Sequence, residues 1–281
     1  MINFNGKILD DDSLFLNQTN RGLKYGDSIF ETLRAVNSSI FFLEDHYFRL
    51  MASMRILRME IPHNFTMEFI QNEILQLIKA NSLENKSARV RVTVFREAGG
   101  LYLPLTNDIA YIIEVKPLES PFYLINDEPY EVELYKDHYV HSGLLSTLKT
   151  GNRIINVTGS IFAKENNYDN CLLLNEAKHV VEALNANIFL VNEEKLVTPP
   201  LSDGCINGIV RRKLIEVINK TQNYTIEERS VSPFELQKAD EIFLTNVVMG
   251  IRPVTKYRKK SFTNEVGNDL LKKLNVLARL I

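Results

Sequence analysis

Apolar residues recur at two different spacings along this chain of 281 residues, and the order of those spacings limits the folds that it can adopt. Helical spacing marks one segment from Glu44 to the Ile61-Pro62 pair and others at 64–80, 208–217 and 266–280. Short runs of alternating or continuous apolar residues predict strands at 29–36, 90–95, 109–115, 130–134, 171–174, 180–183, 188–191 and 241–245. The sequence therefore predicts a mixed fold of helices and sheets, of the α+β class.

Two prolines, Pro117 and Pro121, interrupt this pattern near the middle of the chain. They predict a linker over 116–123, between a smaller α/β domain over 1–115 and a larger α/β domain over 124–281. A chain of this length can bury two hydrophobic cores of ordinary size.

The composition argues against several classes of protein. The formal net charge of −2 and the pI of about 6.3 give no overall basic field that would draw nucleic acid or an acidic membrane. Cys171 and Cys205 lack the spacing of a metal site and predict reduced thiols in a cytoplasmic protein. We see no signal peptide and no apolar run of membrane-spanning length. The expected partner is a small-molecule substrate, with no metal.

A single lysine, Lys149, follows the apolar residues of 144–148. A helical pattern comes next, and Thr150 beside Gly151 is its predicted N-cap. Burial among apolar neighbours can lower the pKa of a lysine, and a neutral amine can form a Schiff base with a carbonyl. The alternative is a solvated surface lysine, which is the more common case.

Several short motifs accompany Lys149 in a fixed order. They are Arg21-Gly22-x-x-Tyr25-Gly26-Asp27, Phe30-Glu31, Glu44-x-His46-x-x-Arg49-Leu50, Glu182 with Ala186-Asn187-Ile188-Phe189, Gly208-Ile209-Val210-Arg211, and Thr245-Asn246. Together they resemble the class IV family of pyridoxal-phosphate enzymes, which includes branched-chain and D-amino-acid aminotransferases and 4-amino-4-deoxychorismate lyase. The resemblance covers essentially the whole chain. It implies a two-domain D-amino-acid aminotransferase-like fold, also called fold type IV.

The resemblance also implies a cofactor, pyridoxal 5′-phosphate, with Lys149 of the larger domain as the Schiff-base lysine. Glu182 would face the pyridine nitrogen and keep it protonated, and Arg49 would meet the phosphate. Val210 stands where the family usually has threonine, so only its backbone N–H could contact the phosphate. The other implied cofactor contacts are Asn187, Ile209, Thr245 and Asn246. Without the resemblance, these side chains would be read as ordinary helix-surface or strand residues.

Three features favour the lyase over an aminotransferase. Thr32 lies where the lyase has a functional threonine and branched-chain enzymes have glycine, so its hydroxyl could relay a proton to departing pyruvate. The pattern Lys149-x-x-Asn152-Arg153 is similar to that of the lyase, with Ile154 replacing an aromatic residue of many branched-chain enzymes. Asn207-Gly208-Ile209 and Thr245-Asn246 are also more similar to the lyase. Leu101 favours the other reading, because the lyase often has arginine in that loop.

Some assignments stay open at this point. An aminotransferase that acts on branched-chain or D-amino acids with 2-oxoglutarate is one alternative, and a non-catalytic protein that binds pyridoxal phosphate is another. The expected substrate contacts are Tyr25 and Phe30, and the substrate carboxylate would fall to Arg91, Arg96 or Arg153. The resemblance further implies a homodimer with active sites near the interface, in which the loop over 96–107 extends to the neighbouring subunit.

Overall fold

The structure, a computed structural model, describes residues 1–221 and 223–279. Its contacts group the chain into two compact units. The first contains Met1–Pro121 together with Lys149–Asn152, and the second contains Phe122–Leu148 and the described chain from Arg153 onward. The short segment that carries Lys149 thus belongs to the first unit by its contacts, although the residues on both sides of it belong to the second. The domain boundaries given above remain a prediction.

The first unit contains one antiparallel sheet of six strands, in the order β2-β1-β6-β5-β3-β4. The strands are β1 (Ile2–Phe4), β2 (Lys7–Leu9), β3 (Ser28–Val36), β4 (Ser39–Ile40), β5 (Ser87–Arg96) and β6 (Ile109–Leu118). The helices are α1 (Arg21–Tyr25), α2 (Leu43–Ile56) and α3 (Met67–Ala80). β6 runs through Leu118 and therefore includes the first residues of the predicted linker.

One face of this sheet packs against α2 and α3. Val90, Val92 and Val94 alternate along β5 and lie in the same buried cluster as Ile74 and Leu77 of α3. The residues between these valines belong to the opposite face, as expected for a period of two. The prediction that this helix begins at residue 64 was wrong, because the Thr66 hydroxyl accepts a hydrogen bond from the Phe69 N–H and caps the helix there.

The second unit contains two five-stranded sheets, in the orders β16-β15-β7-β8-β9 and β12-β11-β10-β13-β14. The strands are β7 (Glu131–Val140), β8 (Asn170–Asn175), β9 (Val180–Ala183), β10 (Asn187–Asn192), β11 (Lys195–Thr198), β12 (Thr225–Glu228), β13 (Glu241–Asn246), β14 (Gly250–Val254), β15 (Lys256–Tyr257) and β16 (Lys260–Ser261). The helices are α4 (Ile154–Glu165), α5 (Ile209–Lys220) and α6 (Glu265–Arg279). The last predicted helix extended to Leu280, which lies outside the described residues. Within those residues, no helix is both long and apolar enough to cross a membrane.

The helix after Lys149 begins later than the sequence predicted. We expected Thr150 to be its N-cap, but α4 starts at Ile154 and Arg153 occupies the cap position. Thr150 instead forms an antiparallel bridge with Ile29 at the beginning of β3. The backbone of residues 149–151 is committed to this pairing and cannot take helical geometry at the same time.

Candidate active site

Lys149 is fixed by its main chain to the strand that carries Phe30 and Thr32. The Phe30 N–H donates to the Lys149 carbonyl at 2.8 Å, and the Gly151 N–H donates to the Ser28 carbonyl at 2.7 Å. A Cβ at Gly151 would collide with the Ser28 hydroxyl, which would then have to turn away, so Gly151 packs closely on that side chain. Lys149 is half-buried, and its position is set by strand pairing rather than by a flexible loop.

The Phe30 ring lies against two cationic side chains. The Lys149 Nζ is 4.6 Å from the ring centroid, and the Arg91 Cζ is 3.7 Å from it. Thr32 lies two residues further along β3 and directly opposite Arg91 in the ladder, so it shares this face of the sheet with Phe30. Thr32 is buried, and within the described ranges its hydroxyl forms no hydrogen bond with the protein. The structure therefore brings together Lys149, Phe30, Arg91 and Thr32.

The opposite face of β3 holds a buried ionic cluster of Glu31, His46 and Arg49, in which only Arg49 had a predicted role. Both carboxylate oxygens of Glu31 bind Arg49, at 2.7 Å from Nε and 2.5 Å from Nη2, and His46 Nδ1 lies 2.7 Å from Glu31 Oε2. Burial raises the pKa of Glu31, but the charge of Arg49 and the hydrogen bonds from His46 and Arg49 outweigh burial and lower it to about 2. Burial lowers the pKa of His46, against the effect of Glu31. A neutral His46 then donates its Nδ1 proton to an ionised Glu31.

A second ionic cluster holds the loop between β5 and β6. The Asp27 Oδ2 atom accepts from Arg21 Nε at 2.8 Å and from Arg96 Nε at 3.0 Å. The remaining nitrogens of Arg21 donate to main-chain carbonyls of the loop, at Gly99, Leu101 and Tyr102. Arg96 donates its other N–H groups to Asn107 Oδ1 and to the carbonyls of residues 57 and 58. All three nitrogens of Arg96 are occupied, which argues against the predicted contact with a substrate carboxylate.

In the second unit, the turn before α5 is held by two buried side chains. Glu182 Oε2 accepts from the Ile206 N–H at 2.9 Å, and the Asn187 amide donates to the Ile206 carbonyl at 2.8 Å. A Cβ at Gly208 would collide with Asn187 Oδ1, so the turn packs directly on that side chain. Glu182 is buried, which contradicts its alternative reading as an exposed strand carboxylate.

Among the described residues, hydrogen-bond donors beside this turn have no acceptor. No described side chain caps the N-terminus of α5, where the N–H groups of Ile209 and Val210 lack intrahelical acceptors. Thr245 lies opposite Asn187 in the ladder between β10 and β13. Its hydroxyl is buried and has no hydrogen-bond partner in the described part of the chain. A hydroxyl and helix N-terminal N–H groups are the donors that suit an anion such as a phosphate.

The other predicted residues have contacts within the protein. Asn246 Oδ1 accepts from the N–H groups of Val248 and Met249, each at 2.9 Å, and so supports the turn from β13 to β14. Arg153 donates to the Leu148 carbonyl at 2.6 Å. Tyr25 ends α1 and packs on Tyr102 of the loop, with 5.6 Å between ring centroids. Their roles in binding stay predictions.

Comparison with known proteins places this geometry in one family. The family model for amino-transferase class IV matches residues 28–257, which is most of the chain. The chain belongs to the class IV aminotransferase family. A putative branched-chain-amino-acid aminotransferase of Methanocaldococcus jannaschii is 29% identical over 273 residues, which cover 97% of this chain and 93% of that protein.

Two solved class IV structures show the same fold. The branched-chain aminotransferase of Thermoproteus uzoniensis has a TM-score of 0.88 and 23% identity, with 99% of this chain and 94% of that chain covered. The 4-amino-4-deoxychorismate lyase of Pseudomonas aeruginosa has a TM-score of 0.83 and 26% identity, with 98% of each chain covered. The predicted recognition and the α+β, fold type IV prediction are therefore confirmed.

Class IV aminotransferases and their lyase relatives are pyridoxal-phosphate enzymes, so this chain is an enzyme of that class, and the non-catalytic alternative is not supported. No role was predicted for Arg21, Asp27, Glu31 or His46, although all four lie in the motifs. One signal was available. Glu31 is a charged residue inside an apolar strand, and His46 and Arg49 are three residues apart on one helix face, as expected for a shared buried partner.

Proposed function

We propose that this enzyme is a 4-amino-4-deoxychorismate lyase, which eliminates pyruvate and leaves p-aminobenzoate. The observation that carries the proposal is Thr32, a buried residue whose hydroxyl has no hydrogen-bond partner among the described residues and which shares a sheet face with the ring that contacts Lys149. Pyruvate leaves as an unstable carbanion or enol unless it receives a proton. An unengaged hydroxyl on this face is a group that can deliver one.

The residues present fit pyridoxal 5′-phosphate as the cofactor. Thr245 offers a buried hydroxyl that finds no acceptor in the described chain, and the first N–H groups of α5 lie in the same unit beside Asn187. In the first unit, Arg49 offers a guanidinium that Glu31 holds in a fixed orientation. We propose that Lys149 holds the cofactor through Nζ and that Glu182 faces its ring nitrogen. When bound, the cofactor supplies an electron sink for carbanion chemistry.

The protein groups then divide the proton transfers between them. The Lys149 amine removes the proton from the substrate carbon that carries the amino group, and it can return a proton to the aromatic product. The Thr32 Oγ1 atom donates a proton to the methylene carbon of the departing pyruvate and regains one from solvent. Arg91 supports the substrate carboxylate, because its guanidinium lies on the same ring as the Lys149 amine.

The rate of pyruvate release, compared between the wild type and two Thr32 variants, tests the reaction. Thr32→Val removes the hydroxyl but keeps the branched shape, and Thr32→Ser keeps the hydroxyl. We expect Thr32→Val to lower kcat for pyruvate release about a hundred-fold or more, and we expect Thr32→Ser to retain most of it. Equal loss in both variants, or no loss in either, would contradict the relay. Pyruvate is measured with lactate dehydrogenase in the absence of any 2-oxo acid.

An aminotransferase is the second candidate, and the similarity to the archaeal branched-chain enzymes favours it. It would use the same Lys149 for both proton transfers and would need no hydroxyl at position 32. If the wild type releases no pyruvate from aminodeoxychorismate but transfers amino groups from branched-chain or D-amino acids to 2-oxoglutarate, this candidate replaces the lyase. Lys149→Ala should abolish either activity while leaving the thermal unfolding curve in place. Retained turnover in that variant would exclude Lys149 as the central residue.

We further propose that the enzyme works as a homodimer. Arg21 holds the loop over 96–107 by its main chain, and this loop exposes four large apolar side chains, Leu101, Tyr102, Leu103 and Leu105. A second copy of the chain would cover them. Light scattering at micromolar concentration should give twice the monomer mass, and Leu101→Ser with Leu103→Ser should lower it. A fully active monomer would rule the dimer out.

A further inference from the structure

One aromatic ring in the first unit is shared by two cations of different function. The Arg91 Cζ and the Lys149 Nζ are 3.7 Å and 4.6 Å from the Phe30 ring centroid. Both distances are within the range of about 6 Å at which the face of a ring attracts a cation. Two positive charges this close would repel each other, and the electron-rich ring offsets part of that repulsion. The distance between Arg91 Cζ and Lys149 Nζ is at most the sum of their distances to the ring centroid.

Other contacts hold each partner of the ring in place. The Lys149 backbone is bonded to Phe30 itself, through the Phe30 N–H at 2.8 Å. Arg91 donates from Nε to Thr93 Oγ1 at 3.2 Å and lies 3.8 Å from Glu114 Oε2. Phe30 is buried, and its backbone is fixed opposite Thr93 in the ladder between β3 and β5. These contacts hold the three side chains together as one unit.

We propose that Phe30 is a positioning residue that seats the Arg91 guanidinium and the Lys149 amine on one ring and so sets the spacing between a carboxylate-binding cation and the reactive amine. The proposal deepens the proposed function and rests on it for the identity of the natural substrate. Such a pair of groups suits a substrate that carries a carboxylate a few bonds from the carbon that meets the amine.

Chemical labelling of Lys149 tests this spacing without any catalysed reaction. The protein is first freed of cofactor by dialysis. Succinic semialdehyde and butanal have four-carbon chains, but only the first carries a carboxylate. Each aldehyde condenses with an amine and loses water, and cyanoborohydride then reduces the imine to a stable secondary amine. Peptide mass spectrometry gives the extent of labelling at Lys149, with the exposed Lys24 as an internal reference.

We expect Lys149, relative to Lys24, to prefer the carboxylated aldehyde in the wild type. Phe30→Leu keeps an apolar side chain but removes the ring, and it should reduce this preference about three- to tenfold. Phe30→Tyr keeps the ring and should retain the preference. Arg91→Met should abolish it, whereas Arg89→Met, on the same face two residues earlier in β5, should leave it unchanged.

Two results would overturn the proposal. One is a wild type in which Lys149 shows no preference for the carboxylated aldehyde, and the other is a folded Phe30→Leu variant with the full preference. A circular dichroism melt shows which variants are folded, and Phe30→Tyr keeps the comparison usable if Phe30→Leu is not. The proposed function can fail separately. If Lys149 prefers the carboxylated aldehyde but the protein has no lyase activity, the role of Phe30 stands and only the proposed lyase reaction is rejected.

Discussion

Two buried glutamates of this chain are held in different ways. Glu31 on β3 faces charged and titratable side chains, with both of its oxygens bound to Arg49 and one also to His46. Glu182 on β9 accepts instead from a main-chain N–H, that of Ile206. The first region therefore balances buried charge with buried charge, whereas the second uses carboxylate, amide and main chain to shape a turn. Changes at Glu31 should therefore act mainly on stability, and changes at Glu182 should act mainly on the ligand.

Replacing each glutamate with glutamine tests this contrast most strongly. In Glu31→Gln the neutral amide leaves Arg49 without its buried counter-charge and turns an N–H₂ group toward other donors. Breaking a buried pair on one side costs about 3–5 kcal/mol, so we expect a loss of this size in the free energy of unfolding. In Glu182→Gln the amide oxygen can still accept from Ile206. There we expect a loss below about 1 kcal/mol but a fall in turnover of several orders of magnitude.

Urea unfolding at pH 7 and steady-state kinetics measure both quantities on the same samples. The comparison fails if Glu182→Gln is as unstable as Glu31→Gln. It also fails if Glu31→Gln keeps its stability and loses only activity.

Acidification tests the charged cluster in the wild type. The pKa of Glu31 is lowered from 4.5 to about 2, so its contribution to stability is complete above pH 4.5 and is lost as the pH falls toward 2. Burial lowers the pKa of His46 below 6.5. The stability that comes from burying a neutral His46 is therefore also lost as the pH falls below 6.5. Both effects have the same sign, and the Glu31 part amounts to about 3 kcal/mol. Unfolding free energies measured from pH 7 to pH 3 should decline less steeply in Glu31→Gln than in the wild type.

The smallest expected effect concerns two buried threonines of the second unit. The Thr245 hydroxyl has no partner in the described ranges, whereas the Thr198 hydroxyl donates to the Ile188 carbonyl at 2.8 Å. Thr245→Val should therefore leave stability equal or slightly higher and weaken pyridoxal-phosphate binding about tenfold. Thr198→Val should cost about 1 kcal/mol of stability and leave binding unchanged. Equilibrium dialysis with the phosphorylated cofactor and with pyridoxal separates a phosphate contact from a general loss of affinity.

Much of the fold follows from local sequence patterns. The strand at Val180–Ala183 was predicted with its observed bounds, and the strands around it differ by a few residues at most. Their apolar runs are short and end at polar turns, so the boundary signals are local. The start of α4 was not predictable in this way. Thr150 pairs with Ile29, far earlier in the chain, and no pattern within the segment reveals that partner.

The same limit applies to the candidate site. The resemblance pointed to Lys149, Thr32 and Arg91 by number, but it could not show that they share Phe30 and one face of a sheet. Arg96 was an equal candidate for the substrate carboxylate in the sequence. All three nitrogens of its guanidinium already donate hydrogen bonds, to Asp27, to Asn107 and to two carbonyls, which only three-dimensional contacts reveal. Charge and residue type identify the arginines that could bind a substrate carboxylate. The hydrogen bonds that each arginine already makes within the protein then distinguish between them.

The way in which Arg21 holds the loop over 96–107 has a use in protein engineering. Arg21 binds the loop through the carbonyls of Gly99, Leu101 and Tyr102, and every amino acid presents the same carbonyl. The side chains at positions 101, 102, 103 and 105, which the proposed dimer would cover, can therefore be varied without removing the carbonyls that Arg21 binds. A library at these four positions, built with Arg21 and Asp27 unchanged, would offer new side chains on a constant backbone.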